Sequence, residues 1–253
     1  MGEFLYRYIS FETLVGMLQD KALTFVLPEL WEDPYEDRPF LEFLKTKDNI
    51  YEYILFATVY CKTFGQCWTE LSESDAMWRI YSYNNRAIRI KVANAKISKL
   101  ENVDIMPVTY SDEPFEINDR KQAFLKSLSH KRVAFEHEKE VRLIHHYKFL
   151  DDDDFEKHTK AFMVLNDHPN RVELIESLFP NLELDEQIRK TCEMINYGIY
   201  KQTAKKIYFE HIPDFIDGVM VHPQAPDWYV EIVKEYCRIN NVPFEGKSKL
   251  YSI

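Results

Sequence analysis

The sequence is poor in glycine. It contains six glycines among 253 residues, and none of them belongs to a glycine-rich phosphate-binding loop. Nucleotide sites of the Rossmann and P-loop types need such loops, because glycine lets the backbone approach a phosphate closely. The shortage of glycine therefore argues against both kinds of site.

Cysteine and long apolar runs are also scarce, and the 32 basic residues are outnumbered by 42 acidic ones. The four cysteines form no Cys-x-x-Cys pair, which argues against a structural zinc site, and no metal site is predicted. The formal net charge of -10 disfavours extended binding to nucleic acid or to an anionic membrane. The sequence contains no run of about 18 apolar residues, so no membrane span is predicted. The N-terminus has no charged segment followed by an apolar run, so no secretory signal is predicted. We therefore expect a cytoplasmic protein.

The remaining composition predicts a folded chain of mixed class. Hydrophobic residues make up 45% of the sequence and aromatic residues 15%, which favours a globule over disorder. Short alternating segments and amphipathic segments follow one another along the chain. We predict a single α+β domain over residues 1–253, with a mixed or mostly antiparallel sheet, flanking helices and a helical insertion at about 151–205.

The stretch from Cys67 to Val92 predicts a strand, a capped helix, a tight turn and a second strand. Ser72 is the expected N-cap, with Asp75 as its reciprocal partner. Asn84 and Asn85 are expected to adopt positive φ and turn the chain.

This stretch also carries large aromatic side chains at helical spacing. Trp78 and Tyr81 belong either to a core helix packed on a hairpin or to the wall of a ligand pocket. In the second interpretation Arg86 or Arg89 contacts an anion. Both interpretations expect the two rings to be mostly buried.

A short strand from Leu5 to Ile9 begins the chain, and Ser10 is placed to cap the following helix. Arg7 lies in the middle of this otherwise apolar strand. It is either an arginine at a sheet edge that reaches solvent or the contact of a ligand or a buried carboxylate such as Glu138 or Glu140.

Glutamates are concentrated between Phe135 and Ile144. If this segment is a strand, one face carries Glu136, Glu138, Glu140 and Arg142. They form either a solvated strand end or a site in which one glutamate acts as acid or base while Arg142 holds its neighbour. On a strand the two glutamates would lie about 6.5 to 7 Å apart and could not both contact one atom.

A loop from Pro28 to Pro39 contains three prolines and an aromatic, acidic run that begins at Trp31. Proline stiffens the loop. It either rims a site or connects two elements at the surface, which is the commoner role of loops.

The order of these motifs resembles the bacterial domain-of-unknown-function family 2971. The resemblance is carried by Tyr-Arg-Tyr at 6–8, Asp-Pro at 33–34, Met-Trp-x-x-Tyr at 77–81, Glu-x-Glu-x-Arg at 138–142 and the closing segment from Phe215 onward. The chain departs from the family pattern at Glu32, Phe135 and Ala87. Because members of the family occur near bacterial mobile and defence genes, the resemblance implies a role in antiviral defence.

The order of motifs is also similar to that of ADP-ribosyltransferase folds. That resemblance implies NAD as the cofactor or substrate, with Arg7 holding its ribose and Trp78 or Tyr81 clamping the nicotinamide. Glu138 or Glu140 would orient the ribose 2′-hydroxyl or polarise the acceptor.

Two functions are therefore carried forward. The first is an intracellular enzyme that acts on a small-molecule nucleotide. The second is a non-enzymatic module of a defence system that senses a ligand or binds a partner protein. The predicted catalytic residues are Glu138 and Glu140, and the predicted ligand-binding residues are Arg7, Tyr8, Trp78, Tyr81, Arg86 and Arg142.

Overall fold

The structure is a computed structural model. It describes residues 2–31, 33, 63–113, 126–145, 169–178, 180–183, 186–187 and 203–252, together with the single positions 157, 160, 163 and 190.

Within these residues the chain contains both strands and helices. The strands are β1 (Phe4–Ser10), β2 (Ala22–Val26), β3 (Phe64–Thr69), β4 (Ala87–Ala93), β5 (Val103–Pro107), β6 (Thr109–Tyr110), β7 (His130–Lys131), β8 (Glu140–His145), β9 (Ala204–Tyr208), β10 (Gly218–Val221) and β11 (Phe244–Lys247). The α-helices are α1 (Phe11–Asp20), α2 (Asp75–Ile80), α3 (Asn94–Ile97), α4 (Arg171–Leu178) and α5 (Asp227–Ile239). Short 3-10 helices cover Pro28–Leu30, Tyr83–Asn85, Val133–Glu138 and Ile212–Phe215.

Nine of the strands form one sheet that branches at β3. Its main path runs β11-β10-β4-β1-β3-β2-β9, while β8 pairs with β3 and β5 pairs with β8. Every pairing in this sheet is antiparallel except that of β10 with β11. The predicted α+β class with a mixed, mostly antiparallel sheet and flanking helices is therefore confirmed.

The main core is built from alternating strand residues and the apolar faces of two helices. Ile88, Ile90 and Val92 of β4 are completely buried, as their alternation predicts. They join one apolar cluster with Leu14 of α1 and Val233 of α5. A second, smaller cluster forms around α2 and contains Tyr8, Met77, Trp78 and Ala87.

The beginning of α1 and the turn before β4 agree with the sequence. The Ser10 hydroxyl accepts a hydrogen bond from the Thr13 amide at 3.2 Å, which is the expected N-cap. Asn84 and Asn85 both have positive φ, at 54° and 58°. Asparagine tolerates this region better than most residues, so the turn could be predicted from its type.

The predicted cap of α2 is wrong by two residues. Ser74, not Ser72, has the extended N-cap conformation, and its hydroxyl accepts the Met77 amide at 3.3 Å. Ser72 instead uses its backbone carbonyl, which accepts hydrogen bonds from Tyr8 and Arg89. Several serines precede this helix, and the tertiary contacts of Ser72 decide between them.

Substituting Ser74 by Ala is expected to lower the free energy of unfolding by about 1 kcal/mol, because the Met77 amide loses its capping acceptor. Ser72→Ala is the matched control and should change the free energy of unfolding by less than about 0.5 kcal/mol. Urea unfolding of both variants checks the prediction. An equal loss in the two variants would contradict this assignment of the cap.

The predicted helical insertion at about 151–205 is only partly covered by the described residues. They include α4, while β9 begins at Ala204, inside the predicted boundary. The rest of the predicted insertion lies outside the described residues. No helix among the described residues is long and apolar enough to cross a membrane.

Candidate functional site

The sheet splits at β3, and a cavity opens beside the split. One edge of β3 pairs with β8 along its length, from Phe64 to Thr69. The opposite edge pairs with β2 at Gly65 and with β1 at Thr69. The segment between these two points, around Cys67, lines a cavity of about 420 Å³. Divergence of β1 and β2 along one edge therefore creates the site.

The side chain of Gln66 connects β3 to β2 beside the split. Its amide donates to the carbonyl of Thr24 on β2 at 3.0 Å and accepts from the Trp68 indole at 2.8 Å. Gln66 and Trp68 are both buried. These hydrogen bonds satisfy buried polar groups next to the opening, where the strand ladder is interrupted.

The cavity wall combines aromatic rings with charges of both signs. The rings are Trp31, Tyr81 and Phe135, and the charged side chains are Arg7, Asp33, Lys131, Arg132, Glu138 and Glu140. A smaller cavity of about 190 Å³ adjoins the first, because Arg7, Cys67, Tyr81, Glu138 and Glu140 line both. Arg7 and both predicted catalytic glutamates therefore meet at one place.

Lys131 holds the two glutamates together. Its ammonium group lies 2.6 Å from Glu138 Oε2 and 3.2 Å from Glu140 Oε2. All three side chains are more than nine-tenths buried. The two carboxylates supply hydrogen-bond acceptors that replace the water lost by the buried lysine.

The prediction that both glutamates lie on one strand face is therefore wrong. The segment Val133–Glu138 is a 3-10 helix, and β8 begins only at Glu140. Lys139 between them has a φ of 43°, which reverses the chain direction. Glu138 approaches from the helix and Glu140 from the strand, so both contact one nitrogen atom, contrary to the expectation from strand spacing.

Arg142 lies behind Glu140 and is completely buried. Its Nε and Nη2 donate to the two oxygens of Glu140 at 2.9 and 3.2 Å, and its Nη1 donates to the Leu128 carbonyl at 3.2 Å. Its guanidinium also lies 4.3 Å from the Trp31 ring centre. The prediction that Arg142 is held by a neighbouring glutamate is confirmed.

This pairing determines the charge of Glu140. Burial alone would raise the pKa of its carboxyl, but Arg142 and Lys131 outweigh burial and lower the pKa to about 2. The Cys67 thiol hydrogen-bonds to the same carboxylate, and the Glu140 amide donates to Tyr110 Oη at 2.7 Å. Glu140 is therefore ionised at neutral pH, and both of its carboxylate oxygens accept hydrogen bonds.

Glu138 is less constrained. Its Oε2 contacts Lys131, whereas no residue that the structure describes donates to its Oε1. Glu138 lines both cavities. Of the two glutamates, it is the one with an oxygen available to a ligand.

Arg7 is half-buried and lines both cavities. It makes no ion pair or hydrogen bond with any of the described residues, so the predicted pair with Glu138 or Glu140 is absent among them. The alternative in that prediction, that Arg7 lines a pocket, is confirmed. Burial lowers the pKa of its guanidinium, and the nearby Cys67 and Tyr81 oppose the shift.

The two tyrosines of the predicted site take different positions. Tyr81 lines both cavities and is 39% exposed, more than expected, because it follows the last residue of α2. Burial of its hydroxyl raises its pKa. Tyr8 is buried and reaches only the smaller cavity, where its hydroxyl lies 3.5 Å from the Ser72 carbonyl.

Trp78, Arg86 and Arg142 line neither of these two cavities, so their roles as ligand contacts stay predictions without support from this site. Trp78 is completely buried as expected, but its ring packs edge-on against Tyr8 and His222, and its indole donates to Glu73 at 2.9 Å. Arg86 lies over the exposed ring of Trp228, 4.9 Å from its centre. Contacts with these neighbouring side chains hold Trp78 and Arg86 in position.

Sequence reasoning missed Lys131, Arg132 and the ring of Phe135. The Arg132 guanidinium contacts Asp33 at 3.1 Å, which ties the loop after β2 to the segment before β8. Trp31 and Asp33 were in the loop that either rims a site or connects two elements, and their side chains now line the cavity. No local sequence pattern marked Lys131 as a site residue, because only the folded chain brings it next to Glu138 and Glu140.

Free thiols at Cys67 and Cys237 are present among the described residues, which contain no group of three or more His, Cys, Asp or Glu able to hold a metal. No protein-family model, curated protein or solved structure matches this chain.

Proposed function

We propose that the cavity binds a nucleotide and that Glu138 assists cleavage of the bond between its ribose and its base, with NAD as the substrate. The observation that supports this most is the presence of Arg7 and Glu138 in the same aromatic-lined cavity. The reaction type and NAD come from the similarity in motif order to ADP-ribosyltransferases. A role in bacterial defence stays a prediction of the family resemblance.

The charges around the cavity favour an anionic ligand. Lys131 and Arg142 are matched by Glu138 and Glu140, and Arg132 pairs with Asp33. Arg7 is left without a carboxylate among the described residues. A half-buried guanidinium has lost part of its hydration, and its planar donors suit two phosphate oxygens. A phosphate beside Arg7 would supply the missing charge.

The remaining wall suits the rest of a nucleotide. Trp31, Tyr81 and Phe135 offer ring surfaces, and ligand sites are typically apolar with a few placed polar groups. A volume of about 420 Å³ lies within the usual range for such sites. The adjoining cavity of about 190 Å³ leaves room for a second group beside Glu138.

Glu138 is the better candidate for chemistry of the two glutamates. When a base leaves ribose, the glycosidic bond breaks, the electron pair goes with the base, and positive charge develops on the sugar ring. A carboxylate beside that ring stabilises the charge. The acceptor, a hydroxyl or water, then bonds to the ribose carbon and loses its proton to the medium. Glu140 has both oxygens occupied by Arg142, so Glu138 has the available oxygen.

The test is the release of nicotinamide from NAD by the purified protein, with cell lysate added as a source of acceptors. Release that depends on Glu138 would support the enzyme. Absence of release by the wild type, with NAD bound, would instead support the sensing module. The 2.6 Å ion pair of Glu138 with Lys131 favours that second candidate, because a paired carboxylate can be purely structural.

Replacement of Arg7 by Met is expected to weaken binding of NAD by about 10-fold or more, because a charge-assisted phosphate contact is lost. The same change should leave the free energy of unfolding unchanged or raise it. Removing Arg7 leaves no carboxylate of the described residues without its ion-pair partner. Calorimetric titration with NAD and urea unfolding measure the two effects.

Arg86→Met is the matched control for this change, because Arg86 is exposed and lies outside the cavities. It should bind NAD like the wild type. A large loss of stability in the Arg7 variant, with binding unchanged, would show that Arg7 is structural.

A further inference from the structure

Trp31 occupies an unusual place in the cavity wall. It follows a 3-10 turn, in which its amide donates to the Pro28 carbonyl at 2.9 Å. The centre of its ring lies 4.3 Å from the guanidinium carbon Cζ of Arg142. The ring also lines the cavity. Arg142 is itself completely buried and anchored on Glu140. The indole is therefore supported from behind by a rigid cation.

Gly65 on β3 makes room for this ring. A Cβ atom at Gly65 would come within 3.1 Å of Trp31 Cη2, closer still to Cζ2, and within 3.2 Å of Ile144 Cδ1. Such distances are too short for ordinary packing, so a side chain at position 65 would push the indole outward. The missing side chain of Gly65 thus sets how deeply Trp31 lies.

The other rings of the cavity are less suited to hold a flat ligand. The ring of Phe135 already makes two cation-π contacts, because Lys131 Nζ and Arg132 Cζ lie 4.6 and 5.2 Å from its centre. Tyr81 borders both cavities and is more than one-third exposed. Trp31 has the larger ring system and one cationic contact among the described residues.

We propose that Trp31 is the platform on which the base of the ligand stacks, and that Gly65 is a positioning residue that sets the depth of this platform. This inference rests on the proposed nucleotide site and adds to it the group that recognises the base. Stacking on an aromatic side chain tolerates any base, because every base has a flat π-face. The platform therefore predicts affinity for nucleotides over sugar phosphates.

The experiment compares AMP with ribose 5-phosphate, which carries a hydroxyl group in place of the base. We expect Trp31→Ala to weaken AMP binding by about 10-fold and to leave ribose 5-phosphate binding unchanged. Gly65→Ala should reproduce this selective loss, and adding it to Trp31→Ala should weaken AMP binding no further. Gly16→Ala is the matched control, because no atom lies within 4 Å of the added methyl.

The possible outcomes are distinguishable. An equal loss of both ligands in the Trp31 variant, or no loss of AMP, would overturn the platform. If Gly65→Ala does not fold, the Trp31→Ala comparison still decides the platform. In that case Gly65→Ala in the Trp31→Ala background, where the ring is gone, should fold, and failure there would overturn the role of Gly65. Binding of neither ligand to the wild type would overturn the proposed site itself and this inference with it.

Discussion

Replacement of Glu138 by Gln is expected to reduce nicotinamide release from NAD by about 100-fold or more. Gln keeps the shape of the side chain but carries no negative charge, so it cannot stabilise the positive charge that develops on the ribose. The loss should appear in kcat, with the dissociation constant of NAD changed little, because the charge matters mainly in the transition state.

The effect on folding should be modest. Lys131 loses one partner but keeps Glu140 at 3.2 Å, so no buried charge is left alone. The Glu138 carbonyl, which accepts the Thr69 hydroxyl at 2.6 Å, is unchanged by the substitution. Activity and stability should therefore separate in this variant.

Glu136→Gln is the matched control for Glu138. It lies in the same 3-10 helix, but its side chain is exposed and pairs with Lys139 at 3.1 Å. It should retain wild-type release of nicotinamide. If the wild type releases nicotinamide and Glu138→Gln retains that release, the chemistry lies elsewhere in the chain.

Replacement of Glu140 by Gln should have the largest effect on stability. It removes the negative charge of Glu140 from its ion pair with the completely buried Arg142, and breaking such a pair typically costs about 3–5 kcal/mol. Lys131 also loses one of its two carboxylates. Urea unfolding of the variant beside wild type and Glu136→Gln measures the difference, and the exposed control should change stability by less than about 1 kcal/mol.

The pH dependence of stability gives a second measure of the same pair. The pKa of Glu140 is lowered from its ordinary 4.5 to about 2 in the folded protein. The contribution of the ionised Glu140 to the free energy of unfolding is therefore fully present above pH 4.5 and is lost as the pH falls from 4.5 to about 2. The shift corresponds to about 3 kcal/mol. The stability difference between wild type and Glu140→Gln should shrink across this range, and a constant difference would contradict the assignment.

A double variant separates the pair from its surroundings. In Glu140→Met with Arg142→Met both charges are removed, so no buried charge of this pair is stranded. The double variant should lose less stability than the sum of the two single changes. Additive losses would mean that the two side chains do not depend on each other.

Local pattern predicted much of the fold. Alternation placed Ile88, Ile90 and Val92 in the core, and residue type predicted the Ser10 cap and the turn at Asn84 and Asn85. These features depend on neighbours in sequence, which is why the sequence contains enough information to predict them. Arg7 was selected because a charged residue stood inside an apolar strand, and the two glutamates because several carboxylates were expected on one strand face.

Three features were decided by tertiary structure alone. Lys139 adopts positive φ although its residue type does not favour it, so no local signal marked the end of the 3-10 helix before Glu140. Trp78 was assigned to the pocket from its ring, but packing against Tyr8 and His222 buries it elsewhere. Lys131 reaches the glutamates only in the folded chain.

The sequence by itself determined which elements form and which charged residues have to be accommodated inside them. The branching of the sheet at β3 decided where those residues meet, because the register of β1 and β2 along one strand edge is a long-range property. Gly65 and Trp31 illustrate the difference: the sequence left open whether the loop of Trp31 rims a site and did not single out Gly65, yet the space left by Gly65 receives the ring of Trp31. Such complementarity exists only between surfaces that folding brings together.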